Sequence, residues 1–224
     1  MVVKRRMVAV VGPLGVHPMV RLSLPARRIV AYLAISGRPV ARAVAAADLW
    51  PDTPEDTGRA NLRRAVWNTP PGWIDGHGDE LCLEAETDLA KAEAAAARAI
   101  IGEPLSYDEI RLLSEDILPG WQEEWIIPLQ DRFRGLRVQA LEVACRTMTG
   151  SSSGFLAVQA GAAAVAAEPL RESAAEALIE AHLAQHNRYE ALRCFRALEE
   201  RLATELGVGP DPALSARFRA PAAA

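Results

Sequence analysis

Residues 37–71 read GRPVARAVAAADLWPDTPEDTGRANLRRAVWNTPP, and this stretch decides how the first part of the chain folds. Its pattern predicts a first helix from about Val40 to Trp50 and a second helix from about Asp56 to Asn68. A proline-containing loop joins the two, and Pro70 and Pro71 stop the second helix because proline lacks the N–H that a helix needs. Two short helices joined in this way form a helix-turn-helix.

The second helix has one apolar side and one basic side. Residues advance by about 100° along a helix, which places three apolar side chains on the inner side: Leu62, Ala65 and Val66. The outer side then carries Arg59, Arg63 and Arg64. Surface helices often expose arginines to water, and that interpretation would suffice for an isolated helix. The helix-turn-helix frame and the charge of the region favour instead a helix that lies against nucleic acid.

The residues before this stretch predict two strands and a helix. Strands are expected at Met7–Leu14 and Met19–Leu24, around a turn at Gly15–Pro18. Helical spacing follows from Leu24, and Gly37 is placed to cap the end of that helix. The inward face of the next helix is predicted to consist of Val40, Val44, Ala47 and Leu49.

The residues after Pro71 predict a hairpin. Residues 73–83, WIDGHGDELCL, contain a tight glycine turn between two extended segments. Strands, three helices and a closing hairpin make a winged helix, whose wing could reach a phosphate through His77. Asp75, Asp79 and Glu80 would be repelled by a phosphate, so we expect the wing to add little affinity.

Charge divides the chain. Residues 1–70 contain eleven Lys and Arg against four Asp and Glu, a net charge of +7, whereas the remainder carries −11. Such a division suggests that the N-terminal part meets a polyanion while the rest meets protein. The candidate nucleic-acid contacts are Arg59, Asn61, Arg63 and Arg64 on the second helix, Arg42 on the first and His77 in the wing.

Signals for export, membrane insertion and disulfides are weak. No apolar run approaches the roughly 20 residues that span a bilayer. The N-terminal apolar run covers only about seven residues and lacks a cleavage site, unlike a signal peptide. Cys82, Cys145 and Cys194 are widely spaced and odd in number, which is typical of reduced thiols. We therefore expect a cytoplasmic protein that does not meet a membrane.

Motifs for catalysis or cofactor binding are missing from the sequence. It contains no GxxxxGK[ST], GxGxxG or HExxH, and we interpret GSSSG at 150–154 as a short flexible connection between helices rather than a GxSxG nucleophile elbow. His182 and His186 lie four apart on a predicted helix, a spacing that can hold a metal, but no third ligand is near. Glu123 and Glu124 are consecutive, so their side chains point in different directions. We expect no enzyme activity, catalytic residue, cofactor or metal.

From Thr87 the pattern is helical almost to the end. Ser106 and Glu109 have the spacing of a capping box. Phe155/Tyr189, Ala157/Ala191 and Val158/Leu192 align at a spacing of 34 residues, which is typical of tetratricopeptide helix pairs. The prediction is a mainly α protein. Residues 1–86 would form a winged helix-turn-helix domain with short β-strands and a hairpin wing, and residues 87–224 an all-α, tetratricopeptide-like domain.

Several segments resemble one family. RRIVAYLAISGRPVARAVAAADLWPD (27–52) and RANLRRAVW (59–67) resemble the winged-helix half of bacterial transcriptional activators of the antibiotic regulatory protein (SARP) type. LPGWQEEW (118–125), EPLRESA (168–174) and ELGVGPDP (205–212) resemble their partner half, the bacterial transcriptional activator domain. The resemblance covers nearly the whole chain, and these last three segments are its most specific parts.

The resemblance implies a regulator that binds double-stranded promoter DNA and acts through RNA polymerase. By this analogy the basic helix would enter the major groove, and the loop 51–58 would lie near the polymerase. The helical half would support a homodimer or contact with other proteins. The sequence does not specify the operator, the regulated genes, or whether the protein activates or represses them.

One departure from the family pattern bears on function. Relatives usually extend the recognition helix past the tryptophan with more arginines, whereas here Trp67 is followed by Asn68, Thr69, Pro70 and Pro71. Each lost phosphate contact lowers the salt-dependent affinity for DNA. The departure leaves open weak DNA binding, binding only as a dimer, or exchange of DNA for a protein partner. The alternative function is therefore a protein-interaction module with weakened or lost DNA binding.

Overall fold

The computed structural model describes residues 6–218, apart from the side chain of His77. The chain divides into two compact units. The first unit comprises Met1–Ala92 and Asp116–Arg132, and the second comprises Glu93–Glu115 and Phe133–Ala224. Residues 116–132, which lie inside the predicted C-terminal domain, thus pack within the first unit.

In its described residues, the first unit contains two small sheets and three complete helices. The strands are β1 (Met7–Ala9), β2 (Gly15–His17), β3 (Val40–Ala41), β4 (Ile74–His77), β5 (Glu80–Leu83) and β6 (Glu86–Thr87), and the helices are α1 (Leu24–Ser36), α2 (Arg42–Leu49) and α3 (Glu55–Trp67). One sheet has the order β2-β1-β6, with β1 antiparallel to β2 and parallel to β6. The other has the order β3-β5-β4, and both of its pairings are antiparallel. Helices closed by the β4–β5 hairpin confirm the predicted winged helix.

Local signals set the limits of α1. The Ser23 side chain accepts a hydrogen bond from the Ala26 N–H, which satisfies one of the free donors at the start of the helix. Gly37 ends α1 in the left-handed region, with φ of 62°, and its N–H donates to the Leu33 carbonyl. The predicted glycine cap is confirmed, because a residue with a Cβ is strained at this φ.

The three helices and β5 enclose the core of the first unit. Its buried members are Ile29, Tyr32, Leu33, Val40, Ala45, Ala46, Leu49, Leu62, Ala65 and Leu81. Burial of this apolar surface is the main stabilising contribution, since each fully buried large aliphatic side chain is worth about 1.5–3 kcal/mol. This core holds α2 and α3 in fixed positions beside the wing.

Two predictions about the first unit were wrong. The second strand lies at Gly15–His17, because β1 pairs with it in the register Met7↔His17 and the chain reverses near Gly12, whose φ is 86°. The predicted strand residue Met19 is 92% exposed. The pattern had therefore placed the strand too far along the chain.

The predicted inward face of α2 was also wrong in part. Val40 belongs to β3, and α2 begins only at Arg42. This later start shifts the buried face to Ala45, Ala46 and Leu49, and leaves Val44 and Ala47 exposed. A two-residue strand that pairs with the distant β5 has no local signature from which this shift could be predicted.

Residues 116–132 complete the first unit. The Leu118 N–H donates to the Val10 carbonyl at 2.9 Å. Trp125 packs on the core, with its ring edge-on to Tyr32 at a centroid distance of 5.2 Å. Arg28 pairs with Glu123 at 2.6 Å. The acidic pair 123–124 therefore contributes a structural partner for an arginine, and the partly buried tryptophan packs against the core of this unit.

The second unit consists of helices. α4 (Asp88–Ile100) and α6 (Ile127–Met148) begin in the first unit and continue into the second, which also contains α5 (Tyr107–Leu113), α7 (Gly154–Ala167), α8 (Glu172–Ala184), α9 (Arg188–Leu206) and α10 (Pro212–Ala216). The predicted capping box is confirmed: Ser106 and Glu109 each bond the other's backbone N–H. α8 packs against both α7 and α9.

The 34-residue repeat has a structural counterpart. Ala157 on α7 and Ala191 on α9 are both fully buried, as equivalent positions of a repeated helix pair should be.

A Cβ at Gly161 would lie 2.8 Å from the Cys145 sulfur and 3.1 Å from the Leu178 Cα. This close approach explains why α7 carries a glycine at that point.

Candidate nucleic-acid interface

Packing against α2 positions helix α3. Gly58 is buried, and a Cβ there would lie 3.5 Å from the Ala46 carbonyl oxygen and 3.4 Å from the Thr53 hydroxyl oxygen. Leu62 and Ala65 are 2% and 0% exposed, and Val66 is partly buried against the same core, so the predicted inner face is confirmed. The opposite face of α3 is consequently turned to solvent.

The outer face of α3 carries the predicted arginines. Arg59, Arg63 and Arg64 are all exposed. Arg59 pairs with Glu55 one turn earlier. Within residues 6–218, neither Arg63 nor Arg64 forms an ion pair. Two of the three guanidinium groups therefore have no carboxylate partner in the described chain.

The wing places a fourth arginine beside this face. Arg42, the first residue of α2, donates its backbone N–H to the Asp79 carbonyl at 2.8 Å. A Cβ at Gly76 in β4 would lie 2.5 Å from Nη2 of Arg42. The guanidinium group of Arg42 thus lies directly on the wing strand, where a glycine leaves room for it.

Two adjoining grooves bring these side chains together. The smaller, of about 420 Å³, is lined by Arg42, Ala43, Arg59, Leu62, Arg63 and Asp79. The larger, of about 560 Å³, is lined by Arg42, Arg63, Val66, Trp67, Thr69, Pro70, Pro71 and Ile74. We call the larger one the α3–wing groove. Arg42 and Arg63 line both grooves, so they stand at the centre of the candidate interface.

The remaining predicted contacts are less central. Arg64 is exposed but lines neither groove, and Asn61 is half-buried and lines neither. The side chain of His77 lies outside the described part of the structure. Arg42, Arg59 and Arg63 are thus the predicted residues that the structure brings together.

The two grooves differ in charge. Asp79 lines the smaller groove, where Arg59 is also paired to a glutamate. The described lining of the α3–wing groove contains two arginines and no carboxylate. A groove with cations and no acid attracts anionic groups such as phosphates.

The end of α3 forms one wall of the α3–wing groove. The Thr69 hydroxyl donates to the Ala65 carbonyl at 2.9 Å and fixes the chain beyond the helix. Trp67, the last residue of α3, is 88% exposed. Sequence reasoning treated Trp67 only as the point where the family pattern stops. Trp67 follows Arg63 by four residues and therefore lies on the same helical face. This spacing was the signal in the sequence for a role of Trp67 in the interface.

The candidate histidine pair is not placed as predicted. His182 lies on α8, but the helix ends at Ala184, and His186 follows it with φ of 57°. Partial burial lowers the pKa of His182. Residues 6–218 contain no group of three or more His, Cys, Asp or Glu side chains arranged to hold a metal ion. Nor does any helix in that range have the length and apolar character to cross a membrane.

Comparison with known families identifies the chain. The model of the bacterial transcriptional activator domain (BTAD) matches residues 85–220. The protein belongs to the BTAD family. The match covers more than half of the chain and confirms the resemblance to bacterial transcriptional activators, a family of transcription regulators rather than an enzyme class. Among curated proteins, none matches this BTAD protein.

A solved structure shares the fold. Mycobacterium tuberculosis EmbR, determined in complex with a low affinity phosphopeptide, is 22% identical and superposes with a TM-score of 0.67. The match covers 95% of the BTAD protein and 64% of the EmbR chain. The likeness confirms the mainly α fold with an N-terminal winged helix.

Proposed function

We propose that this BTAD protein regulates transcription by binding double-stranded promoter DNA through α3. The observation that carries the proposal is the convergence of Arg42 and Arg63 on a groove whose described lining holds no carboxylate. Arg59 lies on the same face, and Arg64 adds an exposed cation beside it. In a helix-turn-helix protein, a second helix with an exposed basic face enters the major groove, and arginines contact phosphates and base edges.

The second unit would supply the protein contacts. Its repeat-like helices α7, α8 and α9 pack in sequence, which is the arrangement that presents a surface to other proteins. We propose RNA polymerase or a second copy of the chain as the partner. Pull-down of RNA polymerase holoenzyme and sedimentation of the protein at several concentrations distinguish these partners.

DNA binding can be tested without a known operator. The full chain is incubated with genomic fragments of its source, and the bound fragments are sequenced and used in mobility-shift assays. We expect a retarded complex with a defined set of fragments, and loss of that complex in the double variant Arg63→Ala/Arg64→Ala. The matched control is Arg196→Ala/Arg201→Ala, which removes two exposed arginines of α9 in the second unit. Unchanged binding by the α3 variant would refute α3 as the reading helix.

One observation favours a second function. Helix α3 ends at Trp67, and Pro70 and Pro71 follow, so no further basic turn extends it. A module that had lost DNA binding would give no retarded complex at about 100 mM salt, where phosphate contacts are still strong. It would still bind a protein through residues 155–206. Pull-down with a fragment-binding assay on the same preparation decides between the two functions.

A further inference from the structure

The exposure of Trp67 is unusual for the largest apolar side chain. Tryptophans in folded proteins are highly buried on average. Trp73, close by in the chain, is 2% exposed, whereas Trp67 is 88% exposed. Exposed aromatic side chains beside charged groups are enriched in binding sites, because they offer apolar area at low entropic cost.

The surroundings of Trp67 define what it would contact. Val66, Pro70, Pro71 and Ile74 give the α3–wing groove an apolar wall, and Arg42 and Arg63 give it two cations. A ligand for this groove must therefore carry an apolar face and an anionic group at once. Nucleotides in DNA meet both requirements, since a base edge or thymine methyl group lies near a phosphate.

We infer that Trp67 is a base-contacting residue that reads the 5-methyl group of a thymine while Arg42 and Arg63 contact the adjoining phosphates. The inference rests on the proposed DNA-binding function and adds a specificity element to it. Arginine contacts to phosphates give salt-dependent affinity that varies little with sequence. An apolar contact with a thymine methyl group supplies sequence discrimination that salt does not screen.

The chain's short recognition helix gives this contact its importance. α3 ends at Trp67, so a turn occupies the position where a longer basic helix would continue, and the aromatic ring lies at the helix end. The Thr69 hydroxyl bond to the Ala65 carbonyl holds that turn against the helix end. The ring is thereby presented at the tip of α3, beside the cations.

The test is a double-mutant cycle, in which one change in the protein is combined with one change in the DNA. The full chain and Trp67→Ala are titrated with a selected operator and with versions in which single thymines are replaced by uracil, which removes only the methyl group. At one position we expect uracil to weaken wild-type binding about fourfold, the effect of removing one buried methyl-sized group. Trp67→Ala should bind thymine and uracil operators equally at that position.

Salt titration separates this role from a phosphate contact. Trp67→Ala should weaken binding by the same factor at every salt concentration, whereas Arg63→Ala should reduce the slope of log affinity against log salt by about one. Trp67→Phe, which keeps an apolar ring, should retain part of the thymine preference. Because the side chain is exposed, an unchanged melting temperature confirms that Trp67→Ala is folded.

The outcomes are distinct. If the wild-type chain binds DNA and Trp67→Ala keeps both its affinity and its thymine preference, the base contact is refuted and Trp67 is left as a surface for protein. If Trp67→Ala loses affinity but discrimination at every thymine persists, specific reading of a methyl group is refuted. If the wild-type chain retards no fragment, the proposed function fails, and the base contact fails with it.

Discussion

Two arginines of α3 and five arginines of the second unit differ in what they contact. Five arginines of the second unit pair with glutamates: Arg98, Arg146, Arg171, Arg193 and Arg217. In contrast, Arg63 and Arg64 form no ion pair within residues 6–218, and Arg63 shares the α3–wing groove with Arg42. Exposure alone does not distinguish the two sets. The second unit neutralises these cations internally, whereas the first unit leaves cations available to an outside anion.

Glu142 pairs with two of these five arginines. This glutamate is 5% exposed and accepts hydrogen bonds from Arg171 at 2.8 Å and from the Ser173 hydroxyl at 3.0 Å. Arg146 binds its other oxygen at 2.8 Å. A buried carboxylate needs such partners, because an unpaired buried charge is costly. Arg146 and Arg171 thus have a structural role that Arg63 lacks.

The largest expected effect comes from removing the unpaired arginines. Arg63→Ala/Arg64→Ala should lower operator affinity by about 100-fold at physiological salt, because two phosphate or base contacts are lost. Arg193→Ala, which removes an arginine already paired with Glu190, should leave affinity unchanged. Fluorescence anisotropy with a labelled operator measures both. Equal losses of operator affinity in the two variants would contradict the difference between paired and unpaired arginines.

The second unit should respond through stability rather than through DNA affinity. Gly161→Ala adds a methyl group 2.8 Å from the Cys145 sulfur and 3.1 Å from the Leu178 backbone. Overpacking of this kind costs about 1–3 kcal/mol of the free energy of unfolding. Urea denaturation measures the loss. Gly135→Ala on α6, where an added Cβ meets no atom within 4 Å, is the control and should not destabilise the protein.

A smaller effect is expected from moving one guanidinium group. Gly76→Ala places a Cβ 2.5 Å from the present position of Nη2 of Arg42, and the flexible arginine must turn away. We expect operator affinity to fall about fivefold, close to the effect of one weakened phosphate contact, with an unchanged melting temperature. If Arg42→Ala lowers affinity but Gly76→Ala does not, the wing does not position Arg42.

The smallest effect concerns the one paired arginine of α3. Glu55→Gln removes the partner of Arg59 and also removes a negative charge from the interface. Affinity for the operator should rise about two- to threefold, with a slightly steeper dependence on salt. Glu190→Gln on α9, which frees Arg193 in the same way, is the matched control and should have no effect. A drop in affinity for Glu55→Gln would mean that the pair orients Arg59 for binding.

Local patterns in the sequence predicted much of this molecule. The inner face of α3, the glycine cap at Gly37 and the capping box at Ser106 depend only on residues within one or two turns, and each was confirmed. The hairpin at 74–83 likewise follows from its own turn. Short-range chemistry determines such features, so a single sequence contains them.

Features that depend on distant pairing were missed. Arg28 and Glu123 are 95 residues apart, and nothing near either residue indicates that 116–132 packs in the first unit. The same is true of the contact between Arg42 and Gly76, and of β3, whose partner β5 lies 40 residues away. These contacts determine which residues of α2 face the core and where Arg42 lies. The arrangement of the grooves could therefore not be derived from the periodicity of the sequence.

The dependence of operator affinity on salt tests the central claim most directly. At least three phosphate contacts, from Arg42, Arg63 and Arg64, predict that log affinity of the full chain falls against log salt with a slope of about −3 or steeper. The Arg63→Ala/Arg64→Ala variant should reduce that slope by about two. A slope near zero for the wild-type chain, or no retained genomic fragment at any salt concentration, would contradict the claim that the basic face of α3 binds DNA.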